Sequence, residues 1–156
     1  MAVKAVIDTN VWISALLNPH GLPAKLSKNF KRNLFRTVVS EPMLEELVEA
    51  LNRPRIKDKY GISGNEINEL VILVEDKSEI IFPPGTLNIC RDKDDNFIIE
   101  TALTGRVEYL VTRDDDLKFD LNVSDFLFVK GITVISVAKF LSILNKQSAL
   151  KNIFNY

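Results

Sequence analysis

The stretch VKAVIDTNVWISALL, residues 3–17, decides the fold class. It joins the β-branched apolar run from Val3 to Ile7 to a helical pattern from Asn10 to Leu17, with Asp8 between them. The first run is typical of a strand that is buried on both faces of a parallel sheet. In open α/β sheets ligands bind outside the carboxyl ends of the strands, so Asp8 stands where chemistry is expected.

The same alternation of strand and helix continues along the chain. Further strands are predicted at 36–39, 79–82, 109–112 and 132–135, and further helices at 24–34, 41–52, 64–77, 95–103 and 137–145. This pattern predicts an α/β fold of three layers, with a mostly parallel sheet of about five strands and helices on both faces. With 156 residues, the chain (1–156) is expected to form a single domain.

The composition narrows the classes of function. Hydrophobic residues make up 46% and charged residues 26%, as in a typical globular domain. The chain has one cysteine, Cys90, and one histidine, His20, which argues against zinc sites and against serine-histidine or cysteine-histidine catalysis. The sequence shows no signal peptide and no bilayer-length apolar run, so we expect a cytoplasmic protein without membrane contact. The net charge of -1 leaves any partner to be inferred from local patches.

Two acids follow predicted strands. Asp8 follows the first strand, and Asp114 comes just after the strand that ends at Thr112. Because parallel strands end at one edge of a sheet, both carboxylates are expected at that edge. The alternative for Asp8 is that it caps the helix that follows.

A third acid, Asp95, shares the apolar stripe of its predicted helix. Ile98, Ile99 and Ala102 lie three, four and seven residues after it. Burying an unpaired carboxylate is costly, so this position needs a cation, hydrogen-bond donors or a raised pKa. The alternative is that Asp95 simply caps its helix.

The fourth candidate, Glu46, is one of three glutamates outside the apolar arc of the 41–52 helix. Periodicity does not choose firmly among Glu45, Glu46 and Glu49, although Glu46 lies beside Ala50 at the edge of the arc. A solvated helix face remains the alternative. Several carboxylates without histidine or cysteine partners form an oxygen-ligand site, which suits Mg²⁺ or Mn²⁺ and phosphodiester hydrolysis.

Four segments, in order, resemble the sequence blocks of the PIN domain family, and in particular its VapC-like branch of toxin-antitoxin ribonucleases. They are VIDTNVWIS (6–14), SEPMLEELVEALNRP (40–54), DNFIIETAL (95–103) and YLVTRDDDL (109–117). The resemblance covers about residues 3–141. One departure is Val137, where a proline commonly opens the last helix, and it touches no catalytic position.

The resemblance implies a role for each matching position. The acidic quartet that would hold Mg²⁺ or Mn²⁺ is Asp8, Glu46, Asp95 and Asp114, with Asp116 as a further metal ligand, Asp92 as a supporting acid, and Asn10 and Thr112 as polar groups that orient the ligands. It also implies an RNA substrate, a cognate antitoxin protein and a homodimer, with the helical segment at about 54–78 as an arm or dimer interface.

A basic surface is predicted from residues 11–40, which contain no acid. The cations on one side of the helix and its extension, which could contact RNA phosphates, are Lys25, Lys28, Arg32 and Arg36. The alternative is a solvated basic face. Two rival functions also stay open: a PIN-like module that binds nucleic acid or protein without cutting, and an aspartate-nucleophile phosphotransferase, which typically has Asp where this chain has Asn10.

Overall fold

The computed structural model describes residues 2–90, 92–114, 118 and 120–154. Its centre is a sheet of five parallel strands in the order β3-β2-β1-β4-β5. The strands are β1 (Lys4–Ile7), β2 (Arg36–Ser40), β3 (Ser78–Ile81), β4 (Tyr109–Val111) and β5 (Thr133–Ile135). The chain builds outward from β1 to β3 and then returns to place β4 on the other side of β1. The strand order therefore reverses between β1 and β4, where α/β sheets open a ligand crevice.

The described helices connect and flank these strands. They are α1 (Thr9–Leu17), α2 (Leu22–Lys31), α3 (Glu41–Asn52), α4 (Pro54–Lys57), α5 (Gly64–Lys77), α6 (Asn96–Gly105), α7 (Leu121–Val129) and α8 (Val137–Phe154). A short 3-10 turn, Lys93–Asp95, precedes α6. No helix within the described ranges is long and apolar enough to cross a membrane.

Alternate side chains of the four strands β1, β2, β4 and β5 enter two separate cores. Ala5 and Ile7 of β1 pack into the core formed with α1, α2, α5 and α8, where Trp12 meets Phe30 edge to face at 5.1 Å between ring centroids. Val6 points the other way, into the core formed with α6 and α7. This alternation is the period of a strand, and it produces the three layers that the sequence predicts. The α/β fold prediction is therefore confirmed.

Several predicted boundaries are wrong. The helix predicted at 24–34 instead runs from Leu22 to Lys31, because Asn33 adopts a left-handed backbone (φ 59°) that ends it. Leu34, which the four-residue spacing placed on the apolar face, is 41% exposed. The last helix runs to Phe154 rather than 145. Helix α7 was not predicted at all, although parallel strands such as β4 and β5 need a crossover between them.

One close approach fixes the height of α6 against the sheet. A Cβ atom on Gly105 would lie 2.5 Å from Cγ1 of Val38 in β2, so only glycine lets the helix end so near the strand. Helix α6 then ends at a C-cap residue in the left-handed conformation, Arg106 (φ 52°). The start of α6, with Asp95 before it, is held over the carboxyl edge of the sheet.

Candidate active site

Asp8 and Asp114 meet where the strand order reverses. Asp8 directly follows β1, and its backbone N–H donates to the carbonyl of Val111 at 2.9 Å. The buried Thr112 joins the two acids: its hydroxyl donates to Oδ2 of Asp8 at 2.7 Å and accepts from the Asp114 backbone N–H at 2.9 Å. A single side chain thus sets the orientation of the first acid and the backbone position of the second.

Glu46 reaches the same place from α3. The hydroxyl of the buried Thr9 donates to its Oε2 atom at 3.3 Å. Glu49, one turn further on, instead pairs with Arg53 at 3.6 Å on the surface. The structure therefore separates the glutamates that periodicity left together, and it is Glu46 that faces the acids of the sheet edge.

Asp95 arrives from the opposite helical layer. It lies in the 3-10 turn rather than within α6, which corrects the predicted helix start. Its backbone N–H donates to the carbonyl of Asp92 at 3.1 Å. The neighbouring side chain of Asn96 accepts from the N–H groups of Ile89 and Cys90, both at 3.0 Å, which fixes the loop on this side.

We call Asp8, Glu46, Asp95 and Asp114 the acidic edge, because their charges act on one another. Burial raises the pKa of Asp8 from its ordinary 3.8 to about 6; the Thr112 hydroxyl lowers it, while the negative charges of Glu46 and Asp114 raise it. Burial likewise raises the pKa of Asp95 to about 7, with Asp114, Asp92, Asp8 and Glu46 adding to the effect. The acidic edge stores repulsion that a cation would relieve.

The capping alternatives explain neither aspartate. Asp8 and Asp95 hold the N-cap positions of α1 and α6, yet neither side chain makes an N-cap hydrogen bond. The backbone of Thr9, at the start of α1, does hydrogen-bond Asp8 and lowers its pKa. By contrast, Asp120 caps α7 by accepting from Asn122 N–H at 3.0 Å and Val123 N–H at 3.3 Å. The carboxylates of Asp8 and Asp95 are thus left to face the acidic edge.

The remaining predicted residues lie at different distances from this edge. Asn10, near the start of α1, has a buried Oδ1 atom with no hydrogen-bond partner among the described groups. Asp92 is exposed, and its charge acts on Asp95. Asp116 lies outside the described residues. Across the ranges that are described, no three acid, thiol or imidazole groups are already arranged to enclose an ion.

The predicted basic residues are all exposed, but the fold spreads them out. Lys25 is in the first turn of α2, and Arg32 follows its end. Arg36 opens β2 and pairs in register with Lys4 of β1. Since β1 and β2 are parallel, Arg36 lies at the amino edge of the sheet, opposite the acidic edge. Only the Lys25 end of this surface is turned toward the side where the strands end.

Two sets of polar groups near the acidic edge were missed by the sequence analysis. The fully buried hydroxyls of Ser40 and Thr101 hydrogen-bond at 2.8 Å and link the start of α3 to α6. Glu100, only 5% exposed, accepts from the backbone N–H groups of Gly85, Thr86 and Leu87 at 2.9 to 3.3 Å. We call this second set the loop anchor. Its sequence signal is the spacing of Asn96 and Glu100, which are four residues apart and share one helix face.

Comparison with known proteins finds a family match and a sequence relative. A family model described as PIN domain matches residues 4–116. The uncharacterized protein MJ1680 of Methanocaldococcus jannaschii is 36% identical over 115 residues, covering 74% of this chain and 73% of that protein.

One solved structure gives a likeness of fold. VapBC2 from Rickettsia felis, bound to a DNA fragment from its promoter, matches with a TM-score of 0.52 and 17% identity, covering 86% of this chain and 98% of that chain. FitAB bound to an IR36 DNA fragment matches with a TM-score of 0.48 and 16% identity, over 85% of this chain and 94% of that chain.

Proposed function

Because this chain belongs to the PIN domain family, whose members are generally nucleases, we propose that it is a Mg²⁺- or Mn²⁺-dependent endoribonuclease. The observation that carries the proposal is the acidic edge itself. Four separate segments deliver carboxylates to the point of strand reversal, and the pKa values of Asp8 and Asp95 are raised there by burial and by their acidic neighbours. Perturbed acids at such a crevice are typical of a functional site.

The donor chemistry fits a hard divalent cation. Asp8, Glu46, Asp95 and Asp114 offer only carboxylate oxygens, the ligands that Mg²⁺ and Mn²⁺ prefer. Asp116 is our further candidate ligand, with Asp92 as a supporting acid. When bound, such an ion supplies charge neutralisation for the phosphate and a lowered pKa for attacking water.

The chain's own residues prepare this site. Thr112 holds Asp8 by its 2.7 Å hydrogen bond, and Thr9 holds Glu46 by its 3.3 Å bond, so both carboxylates are oriented before any ligand arrives. Asn10 brings a buried carbonyl oxygen to the same helix start. In this mechanism water attacks the phosphodiester in line and no covalent enzyme intermediate forms.

The test is cleavage of structured and unstructured RNAs with Mg²⁺, Mn²⁺ or EDTA. Asp8→Asn and Glu46→Gln should abolish metal-dependent cleavage. Glu49→Gln is the matched control, because it lies on the same helix and pairs with Arg53 instead. Cleavage in EDTA, or full activity in Asp8→Asn, would refute the mechanism. RNA binding without cleavage would favour the rival binding module.

We further propose that the nuclease is the toxin of a type II toxin-antitoxin pair and acts in the cytoplasm. This step rests on the resemblance of the sequence blocks to the VapC-like branch. Expression of the chain alone should arrest growth, and expression of Asp8→Asn should not. Rescue by a small protein encoded beside the gene would identify the antitoxin, whereas harmless expression of an active nuclease would remove the toxin role.

We also propose that residues 1–156 form one nuclease domain that dimerises through the 54–78 segment. Ile67, Leu70 and Val74 of α5 are buried in the core, but Ile72 on the outer side of the helix is 55% exposed. Sedimentation should give a dimer for the wild type and a monomer for Ile72→Glu. A monomeric wild type at micromolar concentration would contradict this proposal.

A further inference from the structure

A cleft of about 490 Å³ opens directly beside the acidic edge. Its wall includes Thr112, the residue whose hydroxyl holds Asp8, and then Arg113 and Lys118. Ser14 of α1 and Ser136, which precedes α8, also line the cleft. The cleft therefore adjoins the acidic edge, and Thr112 belongs to both.

The charge of this cleft is opposite to that of the acidic edge. Arg113 and Lys118 both line it, and none of its described lining residues is acidic. Arg113 is exposed, but its guanidinium donates a hydrogen bond to the Ser14 hydroxyl, and both residues line the cleft. A guanidinium carries five N–H donors, so further donors remain to face a ligand.

The backbone around the cleft favours the same kind of ligand. Helices α2 and α8 both begin at its rim, with Leu22 and Val137 among the lining residues. The first N–H groups of a helix carry partial positive charge and are suited to anions. These helix ends only reinforce the two cationic side chains, Arg113 and Lys118, which define the site.

We propose that this cleft binds a phosphate of the RNA strand next to the phosphate that is cut, with Arg113 as its main contact and Lys118 as its second. The inference rests on the proposed function in one respect, that the substrate is RNA. A polyanion approaching the acidic edge meets repulsion, and a fixed cationic cleft one step away offsets it. The cleft then sets which phosphate of the strand reaches the carboxylates.

The experiment measures binding without cleavage, so it does not depend on activity. The full chain with Asp8→Asn is titrated with a fluorescent single-stranded RNA decamer in EDTA, at several salt concentrations. Adding Arg113→Gln should weaken binding about tenfold, the size of a lost charge-assisted contact, and should reduce the salt slope by about 0.7. Lys118→Gln should give a smaller loss in the same direction.

Two controls separate this site from general attraction. Arg113→Lys keeps the charge and should preserve the salt slope while losing part of the affinity. Arg106→Gln removes an exposed arginine at the end of α6, which is not among the residues that line the cleft, and should bind as the parent does. Circular dichroism melting checks that each variant is folded. If Arg113→Gln does not fold, the binding of Lys118→Gln decides the test.

Each outcome decides one proposal. Equal binding by the Arg113→Gln and Arg106→Gln variants, or no RNA binding by the parent at low salt, would overturn the phosphate cleft. Loss of binding with Arg113→Gln, in a protein that never cleaves RNA with any metal, would uphold the cleft and refute the nuclease. If the wild type cleaves RNA but both cleft variants bind RNA as the parent does, the nuclease is upheld and the phosphate cleft is refuted.

Discussion

Asp95 of the acidic edge and Glu100 of the loop anchor lie at the two ends of one short segment, residues 95–100. The surroundings of their carboxylates are nevertheless opposite in kind. Glu100 in the loop anchor receives three backbone N–H groups, from Gly85, Thr86 and Leu87. Asp95 at the acidic edge is surrounded by other acids, and its pKa is raised to about 7 by burial and by that repulsion. The Glu100 carboxylate is satisfied by backbone donors, whereas the charges described around Asp95 are those of other acids.

The difference shows which acids serve the fold and which serve chemistry. A carboxylate whose lone pairs are filled by backbone donors is stable without a ligand. Carboxylates that repel one another destabilise the folded state unless a cation joins them. Substitutions in the two regions should therefore change the stability of the metal-free protein in opposite directions, and the following experiments test this expectation.

The largest effect is expected for Asp95→Asn at the acidic edge. Loss of a metal ligand should lower cleavage by at least about 10²-fold, more than the loss of an outer-shell partner typically costs. The same change removes a repelling charge, so the metal-free protein should melt at a higher temperature than wild type. Cleavage rates and metal-free thermal melts check the two halves. A variant that is inactive and also less stable would mean that Asp95 supports the fold.

At the loop anchor the signs reverse. Glu100→Ala leaves three backbone N–H groups without their acceptor and should lower the free energy of unfolding by about 3 kcal/mol. Urea denaturation measures this loss, with the exposed Glu75→Ala of α5 as the control that should change little. Metal affinity should change far less than in Asp95→Asn. A fully stable Glu100→Ala would erase the distinction between the two regions.

The fold could be predicted from the sequence because each core strand has a local signal, a short apolar run. The apolar runs at β1, β2 and β4 fall where the structure places them, and the acids that follow β1 and β4 share the predicted edge. Helix α7 escaped because its sequence, LNVSDFLFV, is apolar on nearly every side and has no periodic face. Phe128 and Val129 are indeed 71% and 82% exposed.

The site was less predictable because partners distant in sequence decide it. Thr112 reaches Asp8 across 104 positions, and Thr9 reaches Glu46 across 37. No local pattern reveals that Glu46 faces Thr9 while Glu49 faces Arg53. The loop anchor likewise depends on a turn at residues 85–87 folding back on α6, which helix periodicity does not report.

The pH dependence of stability offers a third comparison. Asp8 and Asp95 have folded pKa values of about 6 and about 7, above the ordinary 3.8 of the unfolded chain. As the pH rises, the unfolded state loses these protons first, so metal-free stability should fall between about pH 4 and pH 7. After allowance for screening of these half-buried groups, the loss should be about 2 kcal/mol.

Chemical denaturation in EDTA at a series of pH values measures this slope. Asp8→Asn and Asp95→Asn should each flatten it, and saturating Mg²⁺ should offset the loss at neutral pH because the ion favours the ionised carboxylates. Glu100→Ala should be less stable throughout but keep the wild-type slope. Equal flattening by Glu100→Ala would show that repulsion is not confined to the acidic edge.

The smallest expected effect concerns the hydroxyl that supports Asp8. Thr112→Val removes the donor to Oδ2 of Asp8 with little change of shape, so the pKa of Asp8 should rise further and Mg²⁺ affinity should fall about tenfold. Calorimetric Mg²⁺ titration measures this. The control is Thr37→Val, a buried threonine that pairs with Ser78 between β2 and β3. If both variants bind Mg²⁺ alike, Thr112 supports packing only, and the orientation of Asp8 must come from the end of β1 alone.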